Sequence, residues 1–358
     1  MKAFLLLCFL IYLATMPAPL LAQNVQPQPL YAVDLSKLIS HELDINPAGT
    51  LTFLTEHTLA VSICRNLRCN LETLDLEVGS PRVIATTDKF QGYSALFRAA
   101  DGRVILDSAQ SGGERGAILF DSHMDAALLI RKAAGISQPH ISTTGETFVK
   151  QGRNGWVAYK IGRPPERIRA GLGSVLSVSD EAVIYVDNGA AHIEGMDRKP
   201  LGSFAVTPRA LPTVRFLGHD HLWLQNGSQV EILDFNGKPI QTLERPDGWG
   251  FRIGQSSDGG LILYDRYTRR IPLAQKIEED AIAIATMGVG VGDEKPNGEM
   301  VLVIETRSGR QCFEWNSSTN LLLAGQFHAD IDPSGRLIAI MTRNTLNVYA
   351  LPEGCVAN

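Results

Sequence analysis

Residues 332–340 read DPSGRLIAI, and residues 256–264 read SSDGGLILY. Each opens on small polar residues, places a glycine fourth and then runs into an apolar segment. Ser-Gly and Asp-Gly pairs favour tight turns, because glycine enters positive φ without steric cost. The Ile, Leu and Tyr run that follows is β-prone and reads as a buried strand. The phrase returns as NPAGTLTFL at 46–54, AADGRVILD at 99–107, TTGETFVKQ at 143–151 and KPNGEMVLV at 295–303. Its glycines, Gly49, Gly102, Gly145, Gly259, Gly298 and Gly335, are spaced by 53, 43, 114, 39 and 37 residues. The gap of 114 is three times 38 and holds two degraded copies, SDEAVIYVD at 179–187 and GHDHLWLQN at 218–226. The count is eight units with a mean period of about 41.

A second turn and strand follow each phrase, as in GWVAYKI after Gly152–Asn154 and TLNVYAL after Thr342–Asn344. A third strand tends to come next, as at 71–78, 237–244 and 321–325. With the strand ahead of each glycine turn, every unit holds about four strands. Four-stranded units at this period are the signature of a β-propeller. A single small sheet cannot bury both faces, whereas radial stacking buries each sheet against its neighbours. The expected fold is all-β: a propeller of eight blades, with seven as the alternative. A solenoid would have shorter and more uniform repeats, and two sandwiches would not keep one period. The last unit stops after its third strand, so Tyr31–Lys37 (YAVDLSK) is expected to supply its outer strand and close the ring. Deleting 31–37 should therefore cost far more stability than deleting 23–30.

DPSGRLIAI and SSDGGLILY resemble the repeat phrase of bacterial secreted WD40-like propellers, the PD40 and YVTN-type groups. The resemblance spans some 300 residues but rests on about nine per blade, so it implies a fold and not an activity. The Gly-His and Trp-Asp pairs of eukaryotic WD repeats are missing, and so are Kelch double glycines. The four tryptophans share no setting of the kind that eight-bladed quinone dehydrogenases use.

The first 22 residues read as a signal peptide: Lys2, an apolar run from Ala3 to Met16, and a small residue at Ala22. The run is too short for a membrane span, and Cys8 follows Leu7 where a lipoprotein site needs a small residue, so no anchor is expected. Secretion or delivery to the periplasm follows. Residues 23–30 are a polar lead-in, and 31–355 form one propeller domain. The 336 residues after Ala22 carry 32 basic and 38 acidic side chains. That mild negative charge argues against a nucleic-acid partner. Four cysteines remain in an exported chain, and the expected bridges are Cys64–Cys69 and Cys312–Cys355.

His219-Asp220-His221 is the sharpest polar cluster. On a strand the two imidazoles would share a face and meet one metal, yet the segment also fills a turn slot, where polar residues belong. Met287–Gly292 (MGVGVG) lacks the following helix of a phosphate cradle and reads as an inner strand. Arg163, Arg167 and Arg169 read as a solvated connection, as does Lys276–Asp280. Ala109–Gly116 (AQSGGERG) reads as a long loop suited to a partner contact. No nucleophile elbow is present and no catalytic set can be assembled, so no catalytic residue or cofactor is assigned. Asp44, His140, Arg215, Arg252 and Asp330 precede the repeated turns and would be the residues to converge on a central channel. The leading expectation is a non-enzymatic scaffold that binds a protein, peptide or glycan at one rim. The alternative is a channel-centred hydrolase such as a metal-dependent lactonase.

Overall fold

A computed structural model of the chain describes residues 27–34, 48–65, 68–76, 82–87, 96–99, 102–111, 114–120, 126–131, 140–152, 155–160, 163–164, 166–169, 174–206, 213–226, 229–244, 250–267, 300–316, 328–341 and 345–355. The strands are β1 (Tyr31–Asp34), β2 (Ala48–Phe53), β3 (Thr58–Arg65), β4 (Arg68–Asp75), β5 (Arg82–Thr87), β6 (Leu96–Arg98), β7 (Val104–Ser111), β8 (Glu114–Phe120) and β9 (Ala126–Arg131). They continue as β10 (His140–Ile141), β11 (Thr147–Gly152), β12 (Gly155–Lys160), β13 (Glu166–Arg169), β14 (Ser174–Val178), β15 (Ala182–Asp187), β16 (Ala190–Gly195) and β17 (Pro200–Ala205). Then come β18 (Thr213–Leu217), β19 (His221–Asn226), β20 (Gln229–Leu233), β21 (Pro239–Glu244), β22 (Gly250–Gln255), β23 (Leu261–Tyr267), β24 (Met300–Thr306) and β25 (Gln311–Asn316). The last are β26 (His328–Ile331), β27 (Leu337–Met341) and β28 (Thr345–Ala350).

All neighbouring strands pair antiparallel, and among the described residues they make seven four-stranded units. The units β2–β5 and β6–β9 belong to one hydrogen-bonded sheet, so the seven units form six sheets. Six are simple meanders. The seventh runs β26–β27–β28 and takes β1 as its fourth strand, with Tyr31 opposite Val348 and Asp34 opposite Thr345. Apolar side chains fill the seams between units. Val33, Leu51, Phe53, Leu346 and Val348 join the last unit to the first. Val149, Trp156, Val183 and Tyr185 join the third to the fourth, and Leu302, Phe313, Ile338 and Ile340 join the sixth to the last.

The repeated phrase has a mechanical basis. In four units the glycine lies at a φ of 70 to 77°, at Gly102, Gly145, Gly259 and Gly335. Its N–H donates to the carbonyl three residues earlier, on Ala99, Ser142, Ser256 and Asp332. That opening residue is buried and usually accepts a further bond through its side chain. Ser142 Oγ accepts from the Thr147 N–H, Ser179 Oγ from Ala182 and Ser256 Oγ from Leu261. The Asp332 carboxylate, wholly buried, takes the backbone N–H groups of Ser334, Arg336 and Leu337. A buried acceptor of this kind satisfies the donors that a sharp strand reversal would otherwise strand.

Eight blades are not formed. Gly298 lies in the connection between the second and third strands of one unit, since β23 pairs with β24 across it and Tyr267 faces Met300. Gly49 lies inside the inner strand β2, and the turn of that unit falls at 54–58 instead. Both copies carry the glycine and the apolar run, and local chemistry alone does not say which strand of a blade follows. The degraded copies at 179 and 218 do open turns, between β14 and β15 and between β18 and β19. The expected loop at Ala109–Gly116 is a strand hairpin instead. Ala109 pairs with Gly116 and Ser111 with Glu114, because β7 and β8 extend through it.

Cys312 on β25 and Cys355 in the final turn are bridged, with their Cα atoms 5.7 Å apart. Cys64 and Cys69 sit directly opposite each other on β3 and β4, but their side chains lie outside the described residues. The segment 1–26, Asp44, MGVGVG and Lys276–Asp280 also lie outside them. Among the described residues no helix is long and apolar enough to cross a membrane.

Candidate functional site: a polar central channel

The inner strand of each unit ends at the turn-opening residue, so equal steps back from the turns reach equal heights in the ring. Two residues back come Thr52, Phe97, His140, Ser177, Phe216, Gly254 and Asp330; three back come Leu51, Leu96, Leu176, Arg215 and Ala329. All of them line one central cavity of about 690 Å³. Arg98, Gln255 and His328 complete its polar lining.

Arg98 is a strut across the turn-side end. Its Nη2 donates to the Thr143 carbonyl at 3.1 Å and to Ser257 Oγ at 2.9 Å. Thr143 follows β10 in the neighbouring unit, whereas Ser257 follows β22 in a unit that is not adjacent, so the second bond crosses the channel. Burial pulls the guanidinium below its usual range, against the opposing pull of Asp330 and Asp332. Asp330 Oδ2 accepts from Thr52 Oγ1 at 3.0 Å and from the Phe53 N–H at 2.9 Å. Burial nevertheless pushes its carboxyl up to about 6, because desolvation outweighs those two bonds and the Arg98 charge. His140, its ring 6.0 Å from that of Trp156, is pulled down to about 4 by burial and then by Arg215. Burial likewise lowers His328 to about 4. At neutral pH the described channel therefore holds two guanidinium cations, two neutral imidazoles and one carboxylate, mostly ionised.

These shifts fix a pH signature. Asp330 binds its proton more readily folded than unfolded, so its contribution is present at low pH and is lost as pH rises through 6. The histidines bind theirs less readily folded, so their contribution is present above 6.5 and is lost as pH falls toward 4. From pH 7 to 5 each histidine loses about 2 kcal/mol and Asp330 returns about 1 kcal/mol. The protein should therefore weaken on acidification, with His140→Asn blunting the loss and Asp330→Asn steepening it. Urea unfolding at pH 7 and 5 measures this, and identical slopes in all three proteins would refute it.

Of the residues expected to converge, His140, Arg215 and Asp330 do so. Arg252 lies on β22, with its side chain outside the described residues. His219 and Asp220 stand exposed in a turn, and β19 begins only at His221, so no strand face presents both imidazoles. His221 Nδ1 lies 2.5 Å from Asp220 Oδ1 and 3.2 Å from the Arg307 guanidinium. A cation thus sits beside Nδ1 of that imidazole. Among the described residues no group of three or more His, Cys, Asp and Glu side chains is placed to hold a metal ion. Arg167 and Arg169 belong to the outermost strand β13, and Arg163 is exposed in the turn before it. Arg98, Gln255 and His328 were not foreseen. Aligning the phrases on their opening residue would have put Arg98 and Gln255 one step before the turn and His328 four steps before it.

No known protein family matches the chain, and no curated protein matches it. The fold is shared with solved structures at low identity. The crystal structure of the C-terminal WD40 domain of Sif2 is 11% identical, with a TM-score of 0.50, over 91% of this chain and 99% of that one. KlHsv2 with loop 6CD replaced by a Gly-Ser linker is 10% identical, with a TM-score of 0.49, over 86% and 98%. Hsv2 of Kluyvelomyces marxianus is 12% identical, with a TM-score of 0.47, over 80% and 86%. The chain thus has an all-β propeller fold, built of antiparallel four-stranded units, as in the Sif2 WD40 domain.

Proposed function

We propose that this chain is an exported, non-enzymatic binding propeller that presents its turn-side rim to a protein, peptide or glycan. The observation that carries the reading is the rigidity of that rim. The turns of neighbouring units touch backbone to backbone: a Cβ on Gly145 would lie 2.0 Å from the Arg98 carbonyl oxygen, and one on Gly218 would lie 2.4 Å from that of Asp258. The Arg98 strut ties opposite sides together. On this fixed platform Thr55, His57, Glu146, Glu181, His219 and Asp258 are exposed. Preorganised polar groups bind without the ordering cost that mobile loops incur. The WD40 architecture supports the scaffold reading as an analogy of fold. The signal-peptide pattern supports export, with the mature chain starting at Gln23, and the DPSG and SSDG phrases support kinship with bacterial PD40 and YVTN-type repeats. Closure of the ring is supported by β1 and the seam that joins the first and last units.

The test is chemical cross-linking in the exported fraction. The recovered protein should have the mass of a chain beginning at Gln23 and carry one reproducible partner. A Glu146→Lys/Glu181→Lys variant with unchanged melting temperature should lose that partner. Retention of the partner by the variant would overturn the rim as the binding surface.

A further inference from the structure

Arg215 stands out from its ring. Three residues ahead of their turns, Leu51, Leu96, Leu176 and Ala329 line the cavity at the same height as Arg215, so among the described residues one guanidinium occupies an otherwise apolar collar. The two channel arginines differ in what surrounds them. Arg98 donates to Thr143 and Ser257 and feels the charges of Asp330 and Asp332. The Arg215 side chain, accessible within the cavity, has no hydrogen bond or ion pair among the described residues, and desolvation lowers its titration with no carboxylate opposing it. Its charge is felt by His140, a neutral imidazole.

Two side chains of the same cavity hold buried polar atoms without partners. His328 Nε2 and both polar atoms of the Gln255 amide are buried without a hydrogen bond among the described residues. Buried polar groups are nearly always satisfied, so several unsatisfied ones around one cavity mark a place where something else supplies the partners. The fork of a guanidinium fits a carboxylate in a bidentate arrangement. The leucines beside it, with Phe216 also lining the cavity, favour an apolar body over a bare inorganic anion.

We propose that the central channel is a binding site for a small organic monocarboxylate, its carboxylate on Arg215 and its apolar body against Leu51, Leu96, Leu176 and Phe216. The Gln255 amide and His328 Nε2 supply hydrogen bonds to polar substituents on that body. This site goes beyond the rim reading and does not depend on it.

The experiment is isothermal titration of the mature protein with butyrate, hexanoate, benzoate and 3-phenylpropanoate. Benzamide serves as the uncharged counterpart and sulfate as the anion without an apolar body. At least one carboxylate should bind with one site per chain, at least tenfold more tightly than benzamide or sulfate. Arg215→Met should weaken it at least tenfold. Leu176→Glu, which places a carboxylate next to Arg215 from within, should abolish binding even if Arg215→Met fails to fold. No binding by any of the four carboxylates overturns the proposal, as does undiminished binding by a folded variant. Sulfate binding as tightly as the best carboxylate overturns the apolar part of the site. A rim partner captured without any carboxylate binding sinks the channel site and leaves the rim reading standing, and the reverse outcome does the opposite.

Discussion

Removing residues 31–37 should lower the stability of the mature chain by about 5 kcal/mol, a third or more of what a domain commonly has, whereas removing 23–30 should cost about 1 kcal/mol. The asymmetry follows from the seventh unit. β26, β27 and β28 come from the C-terminal end of the chain, and β1 pairs along the free edge of β28 through Tyr31, Ala32, Val33 and Asp34. Those pairings carry backbone hydrogen bonds worth about 1 kcal/mol each, net. Val33, 7% exposed, packs with Leu51, Phe53 and Leu346 in the seam between the first and last units. Burying a valine contributes about 2 kcal/mol. Without β1 the edge of β28 is bare and the seam is open on one side. Ahead of residue 31 the described contacts are slight. The Leu30 N–H donates to the Val348 carbonyl at 2.7 Å, while the Leu30 side chain is 54% exposed. Urea unfolding of the two truncations decides the matter. Equal transition midpoints would mean that β1 merely lies on the last unit and does not hold the ring together.

The fold was legible because the blade phrase reports local chemistry. Ser256, Asp332 and Ser142 each announce a turn whose donors they satisfy, and Gly259, Gly335 and Gly145 supply the φ it needs. The count went astray where that chemistry is shared by other turns of a meander. The phrase at Gly298 precedes β24, the third strand of the sixth unit, where that at Gly259 precedes β23. The segment between Tyr267 and Met300 stretched one unit to nearly twice the period, so two phrases fell within it. The channel was half legible. Asp330 and His140 sit two residues before their turns, and sequence position identified them. Arg98 was passed over because its role is set by Ser257, 159 residues away, on the far side of the ring. His219 and Asp220 lie in a turn, as their polar character suggests. Period-two logic holds only on a strand, and β19 starts one residue too late for it.

Gly145→Ala should destabilise the protein by about 4 kcal/mol, and Gly102→Ala by only about 1 kcal/mol. The pair separates two effects that turn glycines usually confound. Both residues sit at a φ of 77°, both close a bond to the carbonyl three residues earlier, and both open a second strand. The intrinsic penalty for a Cβ in the left-handed region is therefore common to the two, about 1 kcal/mol. Their surroundings differ. A Cβ on Gly102 would meet nothing within 4 Å, but on Gly145 it would lie 2.0 Å from the Arg98 carbonyl oxygen and 2.9 Å from the Ala99 carbonyl carbon. Neither is the end of a flexible side chain, so a backbone segment must move. That segment carries Arg98, whose guanidinium bonds the neighbouring turn at Thr143 and spans the channel to Ser257. Forcing a well-packed contact apart costs about 1–3 kcal/mol, and the strut's charge-assisted bonds add to the loss when it shifts. The comparison is made by urea unfolding of the two single variants and of the double variant. The two substitutions touch neighbouring turns on either side of one contact, so their effects should fall short of additivity if Gly102→Ala loosens the 99–102 turn. Equal losses for the two single variants would show that positive φ accounts for the glycine at 145, and that the turns of adjacent units do not lock together there.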